Sequence, residues 1–119
     1  MAEPSSNGLD AADLKRRLSD PTSVCSALGL MEGSEAVSGG RIVRCPWHAD
    51  SGRPNMSVTR RTDGDGTISL KCFSCLATGD VFHLIAAMKG ITNSWHSGKK
   101  VDREDWQRVL IAAAEMAGQ

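Results

Sequence analysis

The chain has 119 residues with 14 basic and 14 acidic side chains, and its aromatic residues are two Phe and three Trp with no Tyr. That length fits one small domain whose core must rest on Leu, Val, Ile, Ala and Met, a modest reserve that a bound metal often supplements. A formal net charge of zero excludes a uniformly basic polyanion binder, and no stretch approaches the roughly 18 apolar residues of a membrane span.

Residues 1–8 show no periodicity and read as a disordered tail. Residues 9–40 read as an N-terminal helical segment. Asp10 caps a short helix reaching about Ser19, with Leu14 and Leu18 on one face and Lys15, Arg16 and Arg17 mostly on the other. Asp20-Pro21 restarts a helix, because Asp accepts from the first free amides and Pro at the first position lacks the amide that would go unsatisfied. Val24, Cys25 and Leu28 form its inner face, Gly29 ends it, and Leu30 packs back. Cys25 is thus expected as a small core side chain. Glu32 to Gly40 is expected as an acidic, Gly- and Ser-bearing loop.

From Arg41 the pattern changes to short β segments: Arg41 to Arg44, Asn55 to Arg60, and Thr67 to Lys71. Thr62-Asp-Gly-Asp-Gly66 reads as the turn between the last two. It lacks the further oxygen ligands and the glutamate of a calcium loop. Thr78-Gly-Asp80 then opens a helix with Val81, Leu84, Ile85 and Met88 at i, i+3, i+4 and i+7, stopped by Gly90. Residues 41–90 are therefore expected as a ribbon with its following helix. Residues 91–119 are expected as a polar linker and a C-terminal helix, which starts at Asp102 and carries Trp106, Val109, Leu110, Ala113 and Ala117 towards the ribbon. The fold class is α+β: a small ribbon of three or more antiparallel strands, flanked by N- and C-terminal helices.

Between these strands lie the residues that carry chemistry. Cys45-Pro-Trp-His48 and Cys72-Phe-Ser-Cys75 form a C-x2-H pair and a C-x2-C pair separated by a strand-bearing spacer. Three thiolates and one imidazole are the ligand set of a closed tetrahedral zinc site. The predicted metal ligands are Cys45, His48, Cys72 and Cys75, holding one structural Zn2+. A thioredoxin-like reading of Cys72 and Cys75 leaves Cys45 and His48 without a role. Iron would favour four thiolates, and the imidazole tilts the choice to zinc. In a chain this poor in large apolar groups such a site contributes about 10 kcal/mol to folding. A closed site has no position for water, so the metal holds shape and no catalytic residue is assigned.

The CPWH pair, the run PNMSV and then LKCFSCLATGDVFHLI resemble the N-terminal zinc-binding domain of bacterial and phage DNA primases. In that family a CP-aromatic-H pair precedes a strand, a C-F-x-C pair and a Gly-rich lead into an apolar helix. The resemblance covers roughly residues 20–90. Met56 stands where the family usually has an aromatic residue, and Ser74 and Leu76 stand where glycine is common.

The resemblance implies a zinc-binding module that recognises single-stranded DNA template and supports RNA primer synthesis in replication. The primase catalytic domain or a helicase would be its protein partner, and a bacterial cytoplasm or nucleoid, or a phage or mobile element within it, its setting. Nucleotidyl transfer needs carboxylate clusters for magnesium, and the acids here are scattered on caps and turns. The charge distribution suits the reading: residues 41–75 carry six basic against three acidic side chains, a formal +3, whereas residues 1–40 carry −3. Three thiolates around a divalent ion leave the ribbon at about +2. The expected nucleic-acid contacts are Arg41, Arg44, Trp47, Arg60, Arg61 and Lys71, beside the apolar or planar groups Trp47, Met56 and Phe73, the mixture that single strands require. Trp47 and Phe73 equally suit packing over the two pairs. An alternative from another class is a zinc-ribbon adaptor that docks on a replication protein through an exposed apolar patch around Trp106 and Leu110. No helix has the basic face of a duplex-reading finger.

Overall fold

A computed structural model describes residues 10–47, 54–62, 66–92 and 95–118. The predicted tail 1–8, the centre of the Thr62–Gly66 turn and the predicted ligand His48 lie outside the described residues. Helix α1 (Ala11–Arg17) is capped by Asp10, whose carboxylate accepts from the amides of Ala12 and Asp13. Helix α2 (Pro21–Ala27) follows at Asp20-Pro21. Asp20 accepts from the Thr22 amide at 3.2 Å and from the Ser23 hydroxyl at 2.7 Å. Gly29 then takes a φ of +74°, which lets the Leu30 amide bond back to the Cys25 carbonyl at 2.8 Å.

Five antiparallel strands form one sheet in sequential order: β1 (Glu35–Val37), β2 (Gly40–Val43), β3 (Met56–Arg60), β4 (Ile68–Cys72) and β5 (Thr78–Gly79). Strands β2, β3 and β4 fall where the alternation predicts them, within a residue. Strands β1 and β5 do not appear in the sequence reading. All three residues of β1 are exposed, so no buried face imprints a period on them, and their order comes from backbone pairing with β2. Strand β5 is too short for a period, and it adds an edge by pairing Thr78 with Lys71 and Gly79 with Leu70. The register decides which side chains share a face. Val43, Met56 and Cys72 stand in one row, and Arg41, Val58 and Leu70 in the next, on the side that the helices cover. Ser57 and Lys71, and Thr59 and Ser69, stand on the other side.

Helix α3 (Val81–Met88) is capped by Asp80, and helix α4 (Arg103–Met116) by Asp102. Val81, Leu84 and Ile85 are fully buried, and so are the neighbouring Ala86 and, almost wholly, Phe82. The buried stripe of α3 is therefore wider than the expected one, because α3 lies between the sheet and α4. Helix α4 packs on α3 and α1, with Val109, Leu110 and Ala113 inward. An aromatic chain joins the layers: Phe82 meets Trp106 edge-on at 5.2 Å, and Trp106 meets Trp95 edge-on at 5.8 Å. Cys25 is 0% exposed, as a core side chain, and burial pushes its thiol up to about 11. No helix among the described residues is long and apolar enough to cross a membrane.

Candidate metal centre and sheet face

The hairpin register carries the distant cysteines together. Strand β2 runs into Cys45, and β4 ends on Cys72, which pairs with Met56 next to Val43. The sulfur atoms of Cys45, Cys72 and Cys75 all lie within 4.8 Å of one another, and those of Cys45 and Cys75 are 3.8 Å apart. None of the cysteines is disulfide-bonded. In a tetrahedral site with bonds of about 2.3 Å, neighbouring sulfurs stand about 3.8 Å apart. The trio therefore has the spacing of three corners of such a site and can hold a metal ion.

Local backbone geometry supports the same chemistry. The Trp47 amide donates to the Cys45 sulfur at 3.4 Å, and the amides of Ser74 and Cys75 both donate to the Cys72 sulfur at 3.4 Å. Amide hydrogens aimed at sulfur favour the thiolate over the thiol. Against this, burial pushes the Cys45 thiol up to about 12, with the Cys72 and Cys75 thiols adding to the effect and the Trp47 amide opposing it. A buried thiol among thiols holds its proton until a cation compensates the charge. Closing the second turn needs an unusual backbone at Leu76, whose φ of +65° lies in the left-handed region. The Leu76 amide there bonds the Cys72 carbonyl at 3.0 Å, and the Cys72 amide bonds the Ala77 carbonyl at 2.9 Å.

The expected nucleic-acid contacts are not gathered on one surface. Lys71 stands on the open side of the sheet, whereas Arg41 and Arg60 stand in register with the inward-facing Val58 and Ile68. Arg41 donates through Nε to the Ser34 hydroxyl at 2.9 Å, and Arg60 through Nε to the Gly66 carbonyl at 2.9 Å. Arg44 lies after β2 with its guanidinium beside Gly33, and the Arg61 amide bonds the Thr67 carbonyl at 2.9 Å beyond the end of β3. Trp47 is half-buried, its ring 5.2 Å from that of His96 and its indole N–H buried without a hydrogen-bond partner among the described residues.

Two of the expected planar or apolar surface groups resolve in opposite directions. Met56 is 0% exposed, a correction to its expected place on the surface, because the β3 register turns it inward beside Cys72. Phe73 is 59% exposed, with the Lys71 ammonium 5.9 Å from its ring centroid. Alternation along β4 sets Lys71 outward beside the inward Cys72, but Phe73 lies in the turn that follows the strand, where alternation does not place it. The apolar patch expected around Trp106 and Leu110 is corrected at Leu110, while Trp106 is half-buried. Leu110 is 1% exposed, and Trp106 is packed against Phe82 and Trp95.

His83 carries a role that periodicity does not reveal. Its Nδ1 accepts from the Asp80 amide at 2.9 Å, while the Asp80 carboxylate accepts from the Phe82 and His83 amides, a reciprocal cap on α3. Lys15 reaches the same carboxylate at 3.3 Å and ties α1 to α3. Comparison of the chain with protein-family models, with curated proteins and with solved structures gives no match.

Proposed function

We propose that this chain is a zinc ribbon of DNA-primase type that binds single-stranded template DNA on the open face of its sheet. The zinc ligands in this reading are Cys45, Cys72 and Cys75 with His48 as the fourth. A sulfur-rich set with one imidazole suits zinc, and four protein ligands leave the ion a structural part, whose chemistry is to compensate three thiolate charges. The observation that carries the reading is the Lys71–Phe73 pair beside the cysteine trio, a cation next to a flat ring that is 59% exposed. Bases stack on such a ring irrespective of sequence, and the ammonium attracts the adjacent phosphate. Ser57, Thr59 and Ser69 on the same face offer hydroxyls to the strand. The likeness of CPWH, PNMSV and CFSCLATGD to the primase zinc domain supplies the replication setting and the expected catalytic or helicase partner.

The test is a titration of labelled single-stranded DNA at two salt concentrations with the zinc-loaded chain and its Phe73→Ala and Lys71→Ala variants. The reading requires affinity that falls with salt and falls again in both variants. Equal affinity in all three proteins would remove it. The adaptor reading loses Leu110, which is buried, and keeps Trp106 only as a half-buried ring packed against Phe82 and Trp95.

A further inference from the structure

On the other side of the sheet from Lys71 and Phe73, a cleft of about 420 Å³ opens between the Pro21–Thr22 turn of α2 and the β1–β2 hairpin. Arg41 and Arg60 both line it. Each guanidinium is fixed through Nε, Arg41 on the Ser34 hydroxyl and Arg60 on the Gly66 carbonyl. Each is thereby left with its two terminal nitrogens as donors. Among the described residues neither has a carboxylate within ion-pairing distance. The acid in the lining, Asp20, is already engaged by the Thr22 amide and the Ser23 hydroxyl. Two guanidiniums against one committed carboxylate leave the cleft with a formal charge of +1.

Its walls are equally specific. Val37, 39% exposed, and Pro21 give it an apolar side. Gly40 lets the hairpin backbone lie flat against β3, since a Cβ there would overlap the Val58 carbonyl. We infer that this cleft is a phosphate-binding site in which Arg41 and Arg60 grip one phosphoryl group. Planar forks held by Nε match the oxygens of a phosphate and lose little side-chain freedom on binding. The phosphoryl group comes either from the backbone of a nucleic-acid strand or from a free nucleotide, and the apolar wall accepts the sugar or base attached to it. The site shares no residue with the Lys71–Phe73 face and stands independently of it.

The experiment titrates the zinc-loaded full chain with inorganic pyrophosphate and, separately, with a single-stranded oligodeoxythymidylate, following backbone amide signals by NMR. Pyrophosphate is expected to shift Val37, Gly39 and Gly40 saturably and to leave Phe73 to Cys75 unmoved. Arg41→Lys and Arg60→Ala should each weaken it at least about tenfold, the cost of losing charge-assisted hydrogen bonds. Ala36→Glu should abolish it, because Ala36 is an exposed residue of an edge strand directly opposite Arg41 and the new carboxylate would occupy the fork without disturbing the core. A parallel loss of oligonucleotide affinity in Arg60→Ala identifies a strand phosphate as the source. Unchanged oligonucleotide affinity identifies a free nucleotide. Hairpin amides that do not respond to pyrophosphate, or respond equally in all three variants, would overturn the site.

Discussion

Lys71, on the open face of the sheet, holds its ammonium 5.9 Å from the ring centroid of Phe73 in the turn after β4, while Cys72 between them turns inward with no exposure. One strand thus ties the metal centre to the exposed face: whatever fixes Cys72 also fixes the orientation of its two neighbours. A mobile Phe73 would lose ordering entropy on meeting a base, and a fixed one loses less.

Replacing Phe73 by Ala should lower single-strand affinity by roughly ten- to a hundredfold, the worth of about 1–3 kcal/mol for one stacked base. Lys71→Ala should chiefly flatten the salt dependence, removing close to one unit of charge from its slope. Anisotropy titrations across salt concentrations separate the two effects. Neither substitution should change thermal stability by more than about 0.5 kcal/mol, since both side chains are exposed surface groups.

Removing the metal should unfold the ribbon. Cys45 and Cys72 are buried at 4% and 0% exposure, and the three sulfurs are gathered within 4.8 Å, so a cation is what lets them share that end of the sheet as thiolates. Chelator titration followed by circular dichroism should show loss of tertiary structure together with release of one equivalent of zinc. Cys72→Ser should abolish stoichiometric metal in the purified protein. Retention of a cooperative melt without metal would contradict this.

Leu76→Gly should stabilise the protein by about 0.5–1 kcal/mol. Leu76 has a φ of +65° and is 66% exposed, so it carries left-handed strain of about 1–2 kcal/mol and returns little burial. Glycine relieves that strain at some cost in unfolded-chain entropy. Denaturant unfolding of the zinc-loaded protein measures the difference, and Leu76→Ala, which keeps the Cβ, should show no such gain.

Metal affinity should rise with pH across the neutral range. The metal-free Cys45 thiol, pushed up to about 12 by burial and by its neighbouring thiols, is protonated at pH 7 and must give up that proton to coordinate. Each proton released steepens the dependence by up to about a factor of ten per pH unit. Competition against a chromophoric chelator between pH 6 and 8 reads the slope, and calorimetry in buffers of different ionisation enthalpy counts the protons.

Asp80→Ala should cost about 1–2 kcal/mol, since it removes the cap of α3 and the Lys15 partner at 3.3 Å. Burial raises the Asp80 carboxyl, but its contacts with His83 and the Lys15 charge outweigh it and hold the carboxyl below its ordinary range. The unfolded chain therefore binds this proton more readily than the folded one. The contribution is complete above the ordinary carboxylate range and fades as pH falls through the lower folded value. Thermal melts from pH 6 to 2 should show a shallower acid limb in the variant.

The short-range grammar is legible in the sequence. Asp10, Asp20, Asp80 and Asp102 each cap the helix expected to follow, because capping depends on one carboxylate and the amides two or three residues on. The C-x2-H and C-x2-C spacing points to Cys45, His48, Cys72 and Cys75 as one group, and the three cysteines do gather, because two x2 pairs at hairpin ends can meet if the strands pair in register, while His48 lies outside the described residues. The edge strands β1 and β5 were not legible, because backbone pairing without burial leaves no pattern in side chains.

What the amino-acid order determined by itself is local: where helices start, where strands alternate, and which three thiols can share an ion. Only the tertiary structure decided that Arg41 and Arg60 face one side of the sheet and Lys71 with Phe73 the other, and that Met56 and Leu110 serve the interior. Those outcomes depend on strand register and on which face the helices cover. Both are settled by contacts between segments far apart in the chain, where a shift of one residue would exchange the two faces.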